Sequence, residues 1–302
     1  MSKVSVYMTR LRYVDGVRAA LAAGVVLGCW AAGCSRPAML LPSETRSAPP
    51  PAPAAPEGAA LPAAPPRQVA LGKSVMGQPL VLEVFGTGPQ PVLILGGFHG
   101  DEASGADVAR RLAALLREDP AAAQGRPVAV LAPVNPDGLT RGTRANANGV
   151  DLNRNFPARN WRPSAAGRRY FGGRQPASEP EVRAVMWAVE WLRPGLVISL
   201  HARARGPCNN YDGPAGRPVA ERMARHNGYP VVATIGYPTP GSLGNWAGID
   251  QRIPMVTLEL PGRLGGRPCW RANREALLAA VGGHAAPPTP SAPAAEDTAL
   301  GQ

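Results

Sequence analysis

His99 and Glu102 stand three residues apart in GGFHGDEASG, and a second histidine, His201, follows the apolar run LVISL. Imidazole nitrogens and carboxylate oxygens both bind borderline divalent ions. Three such side chains leave a fourth position for water, the pattern of a catalytic zinc rather than a closed structural one. Zinc polarises a carbonyl and lowers the pKa of its bound water toward about 7. A lone His-x-x-Glu is a weak signal. It gains weight because the chain has only four histidines, and His226 and His284 lie in polar or terminal segments. Glu259 also has chemistry to explain. It sits near the end of the apolar run MVTLEL, where a carboxylate is costly unless paired or working. Two readings stand: a salt bridge to one of the many arginines, or a general base that takes a proton from water and returns it to a leaving amine.

The elements that must position these side chains follow from hydrophobic periodicity. The runs at 92–95, 128–134, 196–200 and 255–260 read as buried strands. Helical spacing appears at 102–118, through Val108, Leu112, Leu115 and Leu116, and again at 179–193 and 270–281. Strands separated by helices imply an α/β sheet covered on both faces. In such sheets, sites gather at the carboxyl ends of strands, where His99, His201 and Glu259 fall.

Five motifs occur in order: HGDE, NPDG, VDLNRNFP, SLHA and TLELPG. Together they resemble the zinc carboxypeptidase family. NANGVDLNRNFP with GYPTPGSLGNWAG is most similar to its bacterial murein tripeptide amidase branch. The likeness spans about residues 68–283. It implies a single α/β domain with a mixed, mostly parallel eight-stranded sheet flanked by helices. It also implies one zinc ion on His99, Glu102 and His201, and Glu259 as general base. Asn153 and Arg154 would clamp the free carboxylate of the released residue, since a guanidinium fork can bind both oxygens, and Tyr237 would close over it. Arg144 would stabilise the oxyanion, with Arg141 as the competing alignment. For Arg154 the bland alternative is an ion pair with Asp151, and for Tyr237 loop packing. Two departures bear on substrate. Asp101 stands where larger members carry an arginine, which argues against long protein substrates. Gly244 aligns with the floor of the pocket for the released side chain and leaves that floor open, which suits diaminopimelate.

The implied reaction is hydrolysis of an amide next to a C-terminal residue with a free carboxylate, in first place the γ-D-glutamyl–meso-diaminopimelate bond of murein peptides. The alternatives are a carboxypeptidase for another residue, an N-acyl amino acid deacylase, and an inactive peptidoglycan-binding lipoprotein. The chain is expected to act as a monomer.

Outside the domain the sequence reads as an address. Residues 1–34 combine basic residues with a short apolar run and small residues, a secretory signal. The VLGC and AAGC endings, at Cys29 and Cys34, are similar to lipoprotein signals. A Pro/Ala-rich segment, 35–67, cannot bury a core and forms a tether. The catalytic domain is expected over 68–284, and the Pro/Ala/Ser-rich tail, 285–302, as disorder. An exported protein on the periplasmic side, held to a membrane by lipid, follows. The net charge of +11 suits an anionic polymer or membrane surface. Scattered arginines without a binding motif argue against nucleic acid. No Cys-x-x-Cys occurs. Cys208 and Cys269 are either a disulfide formed after export or two buried thiols.

Overall fold

The computed structural model describes residues 68–163 and 168–283. The signal segment with Cys29 and Cys34, the tether, the tail and His284 lie outside the described residues. The strands are β1 (Gln68–Lys73), β2 (Pro79–Phe85), β3 (Val92–Gly96), β4 (Val128–Leu131), β5 (Leu196–Arg203), β6 (Cys208–Tyr211), β7 (Val231–Val232) and β8 (Met255–Pro261). The helices are α1 (Ala103–Glu118), α2 (Pro136–Arg141), α3 (Pro180–Leu192), α4 (Arg217–Asn227) and α5 (Gly266–Gly282).

All the strands join one eight-stranded sheet, in the order β1-β2-β4-β3-β5-β8-β6-β7. The central ladders β4–β3–β5–β8 are parallel, as is β6–β7. The β1–β2, β2–β4 and β6–β8 pairings are antiparallel. The expected mixed, mostly parallel sheet is therefore present. Its middle strands are buried on both faces, which is why they read as unbroken apolar runs.

Alternation along each strand separates two cores. Ile94, Ile198 and Leu258 face one way, against Leu112 and Leu116 of α1, Met223 of α4 and Leu277 of α5. Leu93, Leu95, Val197 and Met255 face the other way, against Val182, Val185 and Val189 of α3 and the rings of Phe98 and Phe156. Each such side chain contributes roughly 1.5–3 kcal/mol on burial. The second parity also carries Ser199 and His201 on β5, and Thr257 and Glu259 on β8. One face of the sheet thus changes from core to chemistry within a few residues.

Boundaries differ from expectation by more than one residue in three places. β4 stops at Leu131 rather than 134, because Pro133 cannot donate to a ladder. β5 runs past Leu200, so His201 lies inside a strand, paired opposite Glu259. α5 starts before residue 270, in a first turn, Gly-Arg-Pro, that carries no apolar periodicity. Cys208 and Cys269 are both buried and free. The disulfide alternative is not formed: the Cys208 thiol sits beside Arg203, and the Cys269 thiol donates to the Leu264 carbonyl.

Candidate active site

The site is assembled where β3, β5 and β8 end. Gly105 in the first turn of α1 has no Cβ, and a Cβ there would lie 2.5 Å from the Leu200 carbonyl oxygen. The helix therefore seats directly on β5. That contact brings Glu102 to the strand, where its Oε2 accepts from the Ala202 amide at 3.1 Å.

His99 Nδ1 lies 2.9 Å from Glu102 Oε1, and His201 Nδ1 lies 3.0 Å from Glu102 Oε2. The two Nδ1 atoms are 3.2 Å apart. Three donors at these mutual distances match the edges of a coordination shell with bonds of about 2.0–2.1 Å. Burial resists charging His99, but Glu102 and Asp151 outweigh it, even against Arg144, and lift the imidazole to about 9. Burial likewise opposes ionisation of Glu102, yet the two histidines hold it well below the ordinary carboxylate range. Surroundings that hold a proton this tightly also favour a divalent cation, and the donor set fits zinc.

Asp151 organises the surrounding shell. Fully buried, it faces His99 Nε2 at 3.0 Å and accepts from Arg144 Nε at 2.9 Å. Burial alone would raise its pKa, but His99 and Arg144 drive it far below the usual value. A carboxylate on the outer nitrogen of a metal-binding histidine fixes the ring and its tautomer. Asn135 braces the same region from α2. It caps the helix through Gly138 N at 2.8 Å, and its amide reaches the Phe98 carbonyl at 3.1 Å.

Arg144 and Arg141 are now separated. Arg144 lines the cavity and also reaches Glu102 at 3.2 Å. Arg141 points away to the Met76 sulfur. Arg154 is 2% exposed, donates to the Asn153 carbonyl at 2.6 Å, and makes no ion pair among the described residues. Asp151, the partner its bland reading required, is taken by His99 and Arg144. The Tyr170 ring lies under both guanidinium groups, at 5.2 Å from Arg144 and 5.4 Å from Arg154. Asn153 approaches His201 Nε2 at 3.4 Å and accepts from Leu243 N at 2.9 Å. Tyr237 stands at the rim, 41% exposed, its ring 6.2 Å from that of Tyr170.

Glu259 is 7% exposed and makes no ion pair among the described residues, so the salt-bridge reading falls away. Burial raises its pKa, His201 pulls it back, and Glu102 adds to the rise. That direction suits a proton acceptor working near neutrality.

The three candidate metal donors, Arg144, Asn153, Arg154, Tyr237 and Glu259 line one cavity of about 290 Å³. Its far end corrects the reading of Gly244. A Cβ on Gly244 would lie 2.4 Å from the Asp212 carboxyl. The floor is not open: the space a side chain would take is filled by that carboxylate. Asp212 accepts from Thr257 Oγ1 at 2.6 Å and from Asn210 Nδ2 at 3.0 Å. Burial, only partly offset by those bonds, pushes it up to about 6. The Asn210 side-chain oxygen beside it is buried without a partner.

Comparison with known proteins agrees with this geometry. The zinc carboxypeptidase family model matches residues 64–216. The chain belongs to the zinc carboxypeptidase family. It is a metallopeptidase by that membership. It is 37% identical over 209 residues to murein peptide amidase A of Escherichia coli strain K12, covering 65% of this chain and 82% of that protein. It is 31% identical over 129 residues to γ-D-glutamyl-L-diamino acid endopeptidase 1 of Lysinibacillus sphaericus, covering 39% of this chain and 32% of that one. The crystal structure of the murein-tripeptide amidase MpaA from Escherichia coli O157 superposes with a TM-score of 0.59 at 31% identity, over 74% of this chain and 94% of that one.

Family motifs pointed to His99, Glu102, His201, Glu259, Asn153, Arg154 and Arg144, with Arg141 as the rival of Arg144, and the structure brings the seven to one cavity. The motifs did not single out Asp151 as the partner of His99, although it opens the DLNRN motif. Tyr170 carries no sequence signal, because a lone tyrosine at the end of a short 3-10 turn is unremarkable. Asp212 could have been found from the polar run CNNYD, where three amide or acid side chains lie in and directly after β6.

Proposed function

We propose that the protein hydrolyses the amide between a γ-D-glutamyl carbonyl and meso-diaminopimelate in murein peptides, using one zinc ion held by His99, Glu102 and His201. The observation that carries this reading is the pairing, in one cavity, of two opposite charges that have no ion-pair partner among the described residues. Arg154 offers a cation near the metal donors, and Asp212 offers a carboxylate at the floor. A released residue that fits both has a carboxylate at its reacting end and an ammonium at the end of its side chain. The likeness to murein amidases favours diaminopimelate over lysine as that residue.

A bound zinc would polarise the scissile carbonyl and acidify a water. Glu259 accepts the proton from that water and delivers it to the departing amine. Its raised pKa suits both directions of transfer. Arg144, fixed by Asp151 and Glu102, aims a permanent charge at the developing oxyanion without having to reorganise. Asn153 and Arg154 hold the free carboxylate, and Tyr237 covers it from the rim.

The test is incubation of the zinc-loaded protein with L-alanyl-γ-D-glutamyl-meso-diaminopimelate. Release of diaminopimelate is expected. Its absence, with release of C-terminal lysine from ordinary peptides, would instead establish a basic-residue carboxypeptidase. Glu259→Gln should keep its zinc and lose roughly 10²- to 10⁴-fold in turnover.

The N-terminal pattern supports export and lipid anchoring on the periplasmic side. Replacing Cys29 and Cys34 singly by Ala and fractionating the cells tests this. One variant should leave the membrane fraction, and if neither does, the anchor assignment is wrong.

A further inference from the structure

The strand register divides the cavity into layers. Ser199, His201 and Arg203 alternate onto one face of β5. They lie opposite Thr257, Glu259 and Pro261 of β8. Asp212 hydrogen-bonds Thr257, so the acidic floor belongs to the Ser199–Thr257 layer. The reacting centre belongs to the next layer, His201–Glu259. Arg203 stands one pleat repeat further, about 6.6 Å along the strand, on the side of the reacting centre away from the floor.

Arg203 also lines the cavity. Its Nη1 lies 3.5 Å from the Cys208 sulfur. Cys208 is the β6 residue paired with Glu259, so the guanidinium arches over β8 toward the base. Among the described residues it has no carboxylate partner. If the released residue descends to Asp212, the acyl part of the substrate must leave past Arg203.

The acyl part carries chemistry that an ordinary peptide lacks. In a γ-D-glutamyl amide, three carbons separate the scissile carbonyl from a free α-carboxylate. That carboxylate can extend about 5 Å from the carbonyl carbon. A charge-assisted hydrogen bond of about 2.8 Å closes the remaining distance to a group one pleat repeat away. An α-linked peptide has no anion at this place. We propose that Arg203 binds the free α-carboxylate of the γ-D-glutamyl residue and so selects the γ-linkage from the acyl side. This rests on the murein-peptide reading given above.

The experiment compares two substrates: L-alanyl-γ-D-glutamyl-meso-diaminopimelate and its counterpart with the glutamyl α-carboxylate converted to the carboxamide. The wild-type protein should favour the free acid in kcat/KM by roughly 10- to 100-fold. Arg203→Met should erase that preference by slowing the free acid alone, and Arg203→Lys should retain part of it. Calorimetry on the Glu259→Gln protein gives a readout without turnover. L-Alanyl-D-glutamate should bind more tightly than its α-carboxamide, and the added Arg203→Met change should equalise them. Equal wild-type rates on both substrates, or an equal drop for both in Arg203→Met, would overturn the Arg203 assignment alone. No diaminopimelate from either substrate would remove the underlying reading and this proposal with it.

Discussion

The wall and the floor of the cavity each hold a charge without a counter-charge among the described residues, and they do so differently. At the wall, Arg154 is 2% exposed and Arg144 lies close by, with the Tyr170 ring beneath both. A guanidinium does not deprotonate in a protein, so the wall stays cationic at any working pH. At the floor, Asp212 is held by one hydroxyl and one amide. It relieves its burial by keeping its proton up to about pH 6. The wall is therefore a fixed receptor and the floor a conditional one. A substrate carboxylate would meet the same wall in acid or base, whereas a substrate ammonium finds a partner only once the floor has ionised.

Breaking the wall should have the largest effect. Arg154→Met is expected to lower kcat/KM by roughly 10²- to 10³-fold, because a buried charged contact is lost and the substrate carboxylate is left unpaired. The drop should be the same for substrates with charged or neutral released side chains. A loss confined to one class would mean that Arg154 reads the side chain rather than the carboxylate.

The floor should respond selectively. Asp212→Asn is expected to cost about 10- to 100-fold in kcat/KM for a released residue with a side-chain ammonium. A norleucine-ended analogue should lose nothing. Stability should move the other way. With its folded pKa raised from 3.8 to about 6, Asp212 favours the folded state below pH 4. That advantage is lost as pH rises through 6, leaving a penalty on the order of 2–3 kcal/mol above it. Removing the charge should raise Tm by a few degrees at pH 8 and by much less at pH 4.5. A variant with unchanged Tm at pH 8 would mean that the carboxylate is already compensated.

Wall and floor also differ in how far the sequence revealed them. Central strands, α1 and α3 were legible because burial on two faces or one stripe leaves a periodic trace. So were His99, His201 and Glu259, which sit in motifs at strand ends, and Glu102 and Arg154, which the HGDE and VDLNRNFP motifs mark. β1, β6, β7, α2 and α4 were not marked out: they are edge strands, short elements or a mostly polar helix, with little apolar pattern. β2 was missed despite the alternation of Leu80, Leu82 and Val84 onto one buried face. Asp212 escaped for a geometric reason. Its role depends on Gly244, far away in the chain, having no side chain where the carboxyl must sit. The sequence showed the vacancy at Gly244 but not which residue occupies it. Asp151 was visible only as a bland ion-pair alternative for Arg154, not as the partner of Arg144 and His99.

The pH dependence offers a third, smaller contrast. For a side-chain ammonium substrate, the contribution of Asp212 to kcat/KM should be lost as pH falls below 6 and it takes up its proton, levelling at about the 10- to 100-fold loss expected of Asp212→Asn. Glu259 titrates as well, so the useful quantity is the ratio between ammonium and norleucine substrates, in which the shared base cancels. That ratio should flatten in Asp212→Asn. A ratio independent of pH in the wild type would place the ammonium elsewhere.

The rim should matter least. Tyr237 is 41% exposed, so its hydroxyl exchanges a water partner for the substrate carboxylate rather than emerging from a buried site. Net hydrogen-bond values in that setting are about 1 kcal/mol, or a three- to tenfold rise in KM for Tyr237→Phe. On the proposed reading, its contact with the carboxylate would be the same in the bound substrate and in the transition state, so kcat should hold. A fall in kcat larger than the rise in KM would mean that the hydroxyl acts on the reacting atoms. The rim would then belong with the catalytic layer of His201 and Glu259 rather than with the wall.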